Sequence, residues 1–511
     1  MTTNTADPRY VAVGEPLVLA HDLGTTGDKA TLVAPDGSIV GSVTVPYPAD
    51  FGSDGRAEQQ PDDWWNAFCE ANHRLLESRG IDPSRIAGVS FSGQMMGAVL
   101  LDGDDRPVRP AVIWADTRSQ AQCAQLIERV GLDAVYRMTG HRANPTYSLS
   151  KLMWVRDNEP AAFARARRFL LAKDVILQRL TGSYVTDPSD ASSTNAYDQA
   201  GGAWSDELIA AAGLDSALFP EIVESTTDLG GVRPEVAQEA GLSPRTRVIA
   251  GGGDGPMGAL GAGIVDRSDG VYTYLGSSSW VSFADTKPLH DPLMRSMTFN
   301  HVIPGHFVPT ATMQAGGASL DWIVNVLRPG GDDRFEAALA DAAGAEASAD
   351  GLYFLPHLLG ERSPYWNPNA RAVFAGLKMP HDRANMVRAV LEGVAFNLRT
   401  GLVAFAEAGS MFERIDAIGG AAKSPLVRQI LADTWQLPVV PSSIGDHATS
   451  LGAAAVAAMG VGLIDRAGVA EFVGKPTGAG VEPLLDADES GRRYEIFMDA
   501  YRRMEGWFDQ L

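Results

Sequence analysis

The feature that most constrains this chain is a small turn that it builds twice. "LVLAHDLGTTGDKATLV", Leu17 to Val33, runs as β-type apolar residues to Asp22, passes Gly24, Thr25 and Thr26, and resumes as a second β-type run. "YTYLGSSSWVSF", Tyr272 to Phe283, has the same order: strand, Leu-Gly, hydroxyl residues, strand. One such unit leads each half of the chain, and strands and helices alternate behind both. That pattern predicts an α/β fold with mixed sheets and a duplicated domain. A chance echo of four residues is the alternative that the turns alone leave open.

The segments behind the hairpins read in the same style. "PDGS" at Pro35–Ser38 is a turn into a third strand, Ile39–Val45. Pro61 and acidic residues open an amphipathic helix over Gln60–Ser78. Ile86–Gly93 is a short apolar strand ending in Gly, and Pro110–Ser119 a strand running into a polar loop. A helix is expected over Pro160–Leu180. Thr246–Gly263 reads as strand, Gly-rich turn, small-residue helix, and "IDAIGGAAKSPLVRQILADTW" as strand, Gly turn, helix. A helix follows "QAGG", a long one begins near Arg383, and "TSLGAAAVAAMGVG" is a helix built for burial. The 511 residues allow more than one domain. The reading is a loose tail at residues 1–15, a first domain over 16–264 and a second over 265–511, with the boundary near Val265–Asp269.

The balance of 63 acidic against 42 basic residues, net −21, argues against a nucleic-acid or anionic-membrane partner. No run reaches the ~18 apolar residues of a membrane helix. Only Cys69 and Cys123 occur, which fits a reduced, cytoplasmic protein with inert thiols. The first fifteen residues carry no targeting signal.

Chemistry concentrates in the turns. In "DLGTTGDK", Gly24 permits close backbone approach, Thr25 and Thr26 offer hydroxyls and N–H groups, and Lys29 adds a positive charge. Together these suit phosphate oxygens. Asp22 is placed to hold Mg²⁺ through water. A plain Gly-Thr turn is the competing reading. "LGSSS", with Gly276 and Ser277, repeats the equipment without the acid and the base. In "GGGDGPMG", Asp254 stands at a strand end before a helix, where a carboxylate can cap the helix, accept a proton from a substrate hydroxyl, or both. "IGGAAKS" is a weaker nucleotide candidate. Gln94, Asp116 and Arg118, in "SGQMMGA" and "WADTR", suit a polyol, while Met95 and Met96 are equally readable as core. "HLLGERSPYWNP" is as readable as a surface loop as a functional one.

With these pieces in place, the chain resembles the FGGY carbohydrate kinases, the xylulokinases among them, from about Leu17 to beyond Gly460. "DLGTTGDK" is similar to the family's first phosphate motif, "LGSSS" to its second and "GGAAKS" to its adenosine motif. "KLMWVRDN" and "AVFAGLKMPHDRANMVRAVLEG" are similar to its two signatures, with Thr146 departing just upstream of the first.

The resemblance implies an actin-like, ribonuclease-H-type fold (the actin/Hsp70/sugar kinase superfold), with ATP and sugar in the cleft between two similar domains. It implies Asp254 as general base. It implies Mg²⁺–ATP contacts from Asp22, Gly24, Thr25, Thr26, Lys29, Gly276, Ser277, Gly317, Gly420 and Ser424. The sugar would lie against Gln94, Met95, Met96, Trp114, Asp116, Arg118 and Gly255. Dimers are common in the family. Xylulokinases usually carry "QMHG" and "GGGDN"; here Met96 and Gly255 stand in place of the His and the Asn. Neither replacement hydrogen-bonds a hydroxyl well through its side chain. The implied acceptor is a ketopentose, D-xylulose foremost, with another pentulose, a tetritol or a sugar alcohol as the alternative. The non-enzyme alternative is an inactive or nucleotide-driven binding protein of the same superfold, against which "SGQMMGA", "WADTR" and Asp254 speak together.

Overall fold

The computed structural model describes residues 14–328, 330–331, 333–442, 444–474 and 479–511. The expected tail, apart from its last two residues, lies outside the described residues.

Each half is built on a mixed sheet, and the two sheets share one plan. In the first, β1 (Leu17–Leu23) pairs antiparallel with β2 (Gly27–Val33), and β2 with β3 (Ile39–Pro46). On its other edge β1 pairs parallel with β4 (Ile86–Gly93), and β4 with β5 (Arg247–Ile249). In the second sheet, β6 (Val271–Leu275) pairs antiparallel with β7 (Ser279–Phe283). Beyond β7, β8 (Met297–Asn300) pairs with β9 (Phe307–Met313), and β9 with β7. On the far side β6 runs parallel to β10 (Ile415–Ile418) and β10 to β11 (Val439–Pro441). Hairpin, third antiparallel strand and two parallel strands thus recur in the same spatial order. The twice-built turn marks a duplicated domain.

The local causes are those of the sequence. β1 and β4 are apolar on both faces, as strands covered on both sides must be, and their residues are nearly all buried. Helix α1 (Pro61–Arg79) starts with Pro at its first position, carries Asp62 and Asp63 in its first turn, and ends at Gly80 in the left-handed region. It lays Trp64, Phe68, Leu75 and Leu76 on the first sheet. Buried His21 pins β1 to both neighbours, meeting Asp28 of β2 at 2.8 Å and Asn72 of α1 at 2.9 Å.

One expectation fails outright. The helix read over Pro160–Leu180 is two helices, Pro160–Phe163 and Ala172–Thr181, with a strand at Arg168–Leu170 between them. That strand pairs antiparallel with Val99–Leu101, and Phe169 and Leu170 are fully buried. Tertiary pairing outweighs the helical propensity of "AFARAR".

The linear division near residue 265 also meets a crossing element. Helix α2 (Asp254–Gly261) ends the first half. Among later helices are α3 (Arg383–Glu407), α4 (Pro425–Trp435) and α5 (Ala448–Gly460). α5 comes late in the chain, yet packs against α2, β1 and β4 of the first half. α3 is long and apolar enough to cross a membrane by length and composition, but its apolar stretch is mostly buried in the core of the second half. Both thiols are buried, and burial pushes Cys69 up to about 12 and Cys123 to about 11, as expected of inert thiols.

Candidate active site

The two hairpin turns face one cleft, and Asp254 lies within it. A cavity of about 210 Å³ there is lined by Thr25 of the first turn, Ser278 of the second, Asp254 and Gly255. Its walls are Met95, Met96 and Trp114 from the first half, and Tyr272, Trp280, Met297 and Phe299 from the second. Thr310, Thr312 and Arg362 also line it.

Asp254 begins α2 immediately after the short strand Gly252–Gly253, which runs beside the end of β4. Its Oδ1 accepts the Gly255 N–H at 2.8 Å, so Oδ2 remains to take a proton. Burial, reinforced by the charge of Asp22, pushes its carboxyl up to about 7. A carboxylate poised there exchanges a proton readily at neutral pH. The expected capping role is not seen: Gly253 is the N-cap of α2 and no side chain caps it, so the Asp254 carboxyl is left for the proton-accepting reading.

Asp22 sits near the end of β1. Its oxygens accept from the hydroxyls of Ser92 at 3.0 Å and Thr449 at 2.6 Å. Burial holds its carboxyl above the ordinary range. Among the described residues no group of three or more acid, histidine or cysteine side chains could hold a metal ion; Asp22 and Asp254 alone would suit Mg²⁺, which takes one or two carboxylates and fills its sphere with water and phosphate oxygens.

The first turn is braced from all sides. The Gly24 carbonyl accepts from the Tyr47 hydroxyl and the Gln94 amide, and the Thr25 carbonyl accepts from Gln59 at 2.7 Å. Trp114 Nε1 donates to Thr25 Oγ1 at 2.8 Å. Thr26 is exposed at the tip, and Lys29 donates to the Asp446 carbonyl of the second half.

The second turn is exposed at Ser277 and packed underneath. Gly317 N donates to the Gly276 carbonyl at 2.7 Å, and a Cβ on Gly317 would lie 2.5 Å from that oxygen, so only glycine permits this approach. Gly316 and Gly317 lead into an apolar slot closed by Leu275, Leu391, Ala421 and Val427. Gly420 precedes Ala421 of the slot and a Cβ there would meet nothing within 4 Å, and Ser424 caps α4 by accepting from Val427 N.

Three of the proposed sugar contacts are not brought to the cavity. Gln94 Nε2 donates to the Gly24 carbonyl and to the side-chain Oε1 of Gln59. Asp116 accepts the Ala57 N–H at 2.8 Å and pairs with Arg118 at 2.7 Å. Arg118 also meets Glu58, and its guanidinium lies 4.2 Å from the Trp154 ring centroid. Asp116 and Arg118 are engaged in framework contacts, whereas Gln94 Oε1 is buried with no hydrogen-bond partner among the described residues and stays available to a ligand. Met95, Met96, Trp114 and Gly255 do line the cavity.

Sequence reasoning left Arg362 undecided, inside "HLLGERSPYWNP". Its guanidinium lies 5.6 Å from the Trp114 ring centroid, and its Nε is buried with no hydrogen-bond partner among the described residues. Trp280, Met297 and Phe299 were missed because strand residues facing a cleft read like strand residues facing a core. The proximity of "SSSW" to a phosphate-type turn was the one usable signal.

The chain matches the family models for the N-terminal domain of the FGGY carbohydrate kinases over residues 17–261 and for the C-terminal domain over residues 271–461. It is 33% identical to a xylulose kinase of Bacillus subtilis over 448 residues, covering 88% of this chain and 89% of that one. It is 30% identical to a gluconokinase of the same organism over 506 residues, 97% of each chain. The crystal structure of ligand-bound xylulose kinase from Lactobacillus acidophilus superposes with a TM-score of 0.90 at 27% identity, over 97% of this chain and 99% of that one. The chain belongs to the FGGY family of carbohydrate kinases, which makes it an ATP-dependent sugar kinase.

Proposed function

We propose that the protein transfers the γ-phosphate of ATP to a hydroxyl of a ketopentose, D-xylulose foremost, with Asp254 as the base. The observation that carries this reading is the free Oδ2 of a carboxyl poised near 7, inside a cavity that both hydroxyl turns reach.

The acceptor lies among Met95, Met96, Trp114 and Gly255, with one hydroxyl against Asp254. The turns at Gly24–Thr26 and Gly276–Ser277 bind the phosphates through N–H groups and hydroxyls. The apolar slot beside Gly317 and Gly420 takes the adenine. Lys29 and Ser424 support these loops in place. Mg²⁺ held through Asp22 neutralises phosphate charge when bound. Asp254 Oδ2 takes the hydroxyl proton as the oxygen attacks in line, while the Met, Trp and Phe walls keep out water, itself an acceptor. A cytoplasmic location, where ATP is supplied, is part of this proposal. A homodimer is the proposed assembly.

A second reading is favoured by Arg362. A guanidinium in the acceptor cavity whose Nε has no hydrogen-bond partner among the described residues suits the carboxylate end of a sugar acid, and a gluconokinase is among the relatives. A panel of purified D-xylulose, other pentuloses, tetritols, alditols and aldonates, read by ADP release, separates the two. A kcat/KM at least tenfold higher for D-xylulose than for any aldonate supports the first reading; the reverse order supports the second.

A further inference from the structure

The short helix Pro188–Ala191 continues into a 3-10 turn, Ser192–Thr194, and from Ser189 onward the segment is buried behind the cavity. Its serines share a pattern. Ser189 Oγ donates to Asp187 Oδ2 at 2.5 Å and accepts the Gly253 N–H at 3.0 Å. Ser192 Oγ donates to the Ser189 carbonyl at 2.8 Å and accepts the Asn300 N–H at 3.0 Å. Ser193 Oγ donates to the Asp190 carbonyl at 2.7 Å and accepts the Met96 N–H at 3.1 Å. Each hydroxyl spends its proton inside the turn and its lone pair on a foreign backbone N–H.

The three N–H groups belong to three different walls of the cavity. Gly253 precedes Asp254. Met96 is the tip of the loop after β4. Asn300 ends β8, whose Met297 and Phe299 line the cavity from the second half. Met96 shows that this holding does work against the backbone's own preference. It has φ of +64°, in the left-handed region that a side chain disfavours. Ser193 fixes its N–H, while buried Lys151 donates to its carbonyl at 2.8 Å.

The turn itself is fixed by charge. Lys173, fully buried, lies 3.2 Å from Asp187 and 3.6 Å from Asp190. Asp187 also accepts from Ser225 Oγ at 2.7 Å and from Ser189 N at 3.0 Å. A buried ionic cluster is expensive to desolvate, and rigid placement is the return it gives here.

We propose that Ser189, Ser192 and Ser193 are positioning residues, one for each wall of the acceptor site. Ser189 sets the base-bearing loop, Ser193 the Met96 loop and Ser192 the β8 wall. The proposal rests on the reading of Asp254 as the base. None of the three serines belongs to the nucleotide loops, so each loss has its own kinetic signature.

The test is steady-state kinetics of Ser189→Ala, Ser192→Ala and Ser193→Ala, with acceptor and ATP varied separately and the thermal midpoint measured for each. Ser189→Ala should lower kcat about tenfold or more with the acceptor KM nearly unchanged, because a small displacement of the base acts on the chemical step. Ser193→Ala and Ser192→Ala should raise the acceptor KM about fivefold or more with smaller effects on kcat. The ATP KM should stay within about twofold of wild type in all three. Ser189→Thr, which keeps the hydroxyl, should recover kcat. Where an alanine variant does not fold, the cysteine variant keeps the volume with a weak acceptor and is read the same way.

Parallel losses in all three that include the ATP KM and follow the thermal midpoint would overturn the proposal, as would wild-type kinetics throughout. Asp254→Asn is run alongside. Turnover retained there defeats the reading of the base, whatever the serines do; turnover lost there with undifferentiated serine variants defeats the positioning proposal alone.

Discussion

At the scale of single residues, the catalytic claim turns on how one carboxyl is tuned. Asp254 sits where burial and the charge of Asp22 oppose ionisation, which raises it to about 7, while Arg362 and the Gly255 N–H pull the other way. A base must be ionised to accept a proton. The kcat/KM for the acceptor, measured with ATP and Mg²⁺ saturating, should therefore fall up to tenfold per pH unit on the acid side, with a midpoint at or below about 7, lower when Mg²⁺ at Asp22 offsets the charge that raises it. The same shift has a stability consequence of fixed sign. Between the ordinary carboxyl range and about 7 the folded protein keeps a proton that the unfolded chain has lost, so stability decreases as pH rises through that window. Asp254→Asn removes the cost, and its thermal midpoint should exceed that of wild type by more at pH 8 than at pH 5. On the sugar side, a Cβ at Gly255 would meet only Met95 Sδ, at 3.8 Å, so a larger side chain fits. Combining Met96→His with Gly255→Asn supplies two hydrogen-bonding groups and should improve kcat/KM for D-xylulose about tenfold. No change would show that these positions do not meet the sugar's hydroxyls.

At the scale of elements, the most exacting contact is the crossing of α2 and α5. A Cβ on Gly261 would lie 1.7 Å from the Ala448 carbonyl, and one on Gly452 2.0 Å from that of Met257. The helices touch backbone to backbone, and that approach brings Thr449 to Asp22. Gly261→Ala must push the helices apart. It should cost ~1–3 kcal/mol in denaturant unfolding, with the ATP KM raised as the phosphate turn loses its brace. The strands and caps of this neighbourhood were legible in sequence because turns and helix ends use residues with local reasons: the Gly-Thr turn, the Gly run before Asp254, the Pro before α1. What was not legible depended on partners distant in sequence. "FARARRFLLAK" reads as helix until Val99–Leu101 is there to pair with its middle. That Gln94 also meets Gln59, Asp116 the Ala57 N–H and Arg118 Glu58 depends on partners that no local pattern names. Arg362 lay in a loop whose destination no local pattern states.

At the scale of the molecule, the duplication explains the design. One sheet plan is used twice, so two equivalent turns face each other, and the elements that made them different carry the chemistry. The first turn keeps Asp22 and Lys29; the second keeps only hydroxyls and backbone. The halves are tied by contacts that cross the cleft: Lys29 to the Asp446 carbonyl, Thr449 to Asp22, and β8 to the serine turn. In the proposed mechanism, closure over bound substrates would bring the hydroxyl, the γ-phosphate and Asp254 together while water is excluded. The central claim is that Asp254 takes the proton in transfer to a sugar hydroxyl. Its most direct test is Asp254→Asn, with acceptor-dependent ADP release measured beside ATP affinity by calorimetry. The expected result is a loss of at least about a thousandfold in kcat with ATP affinity within about threefold of wild type. Acceptor-dependent turnover near the wild-type rate in a variant that binds ATP normally would contradict it.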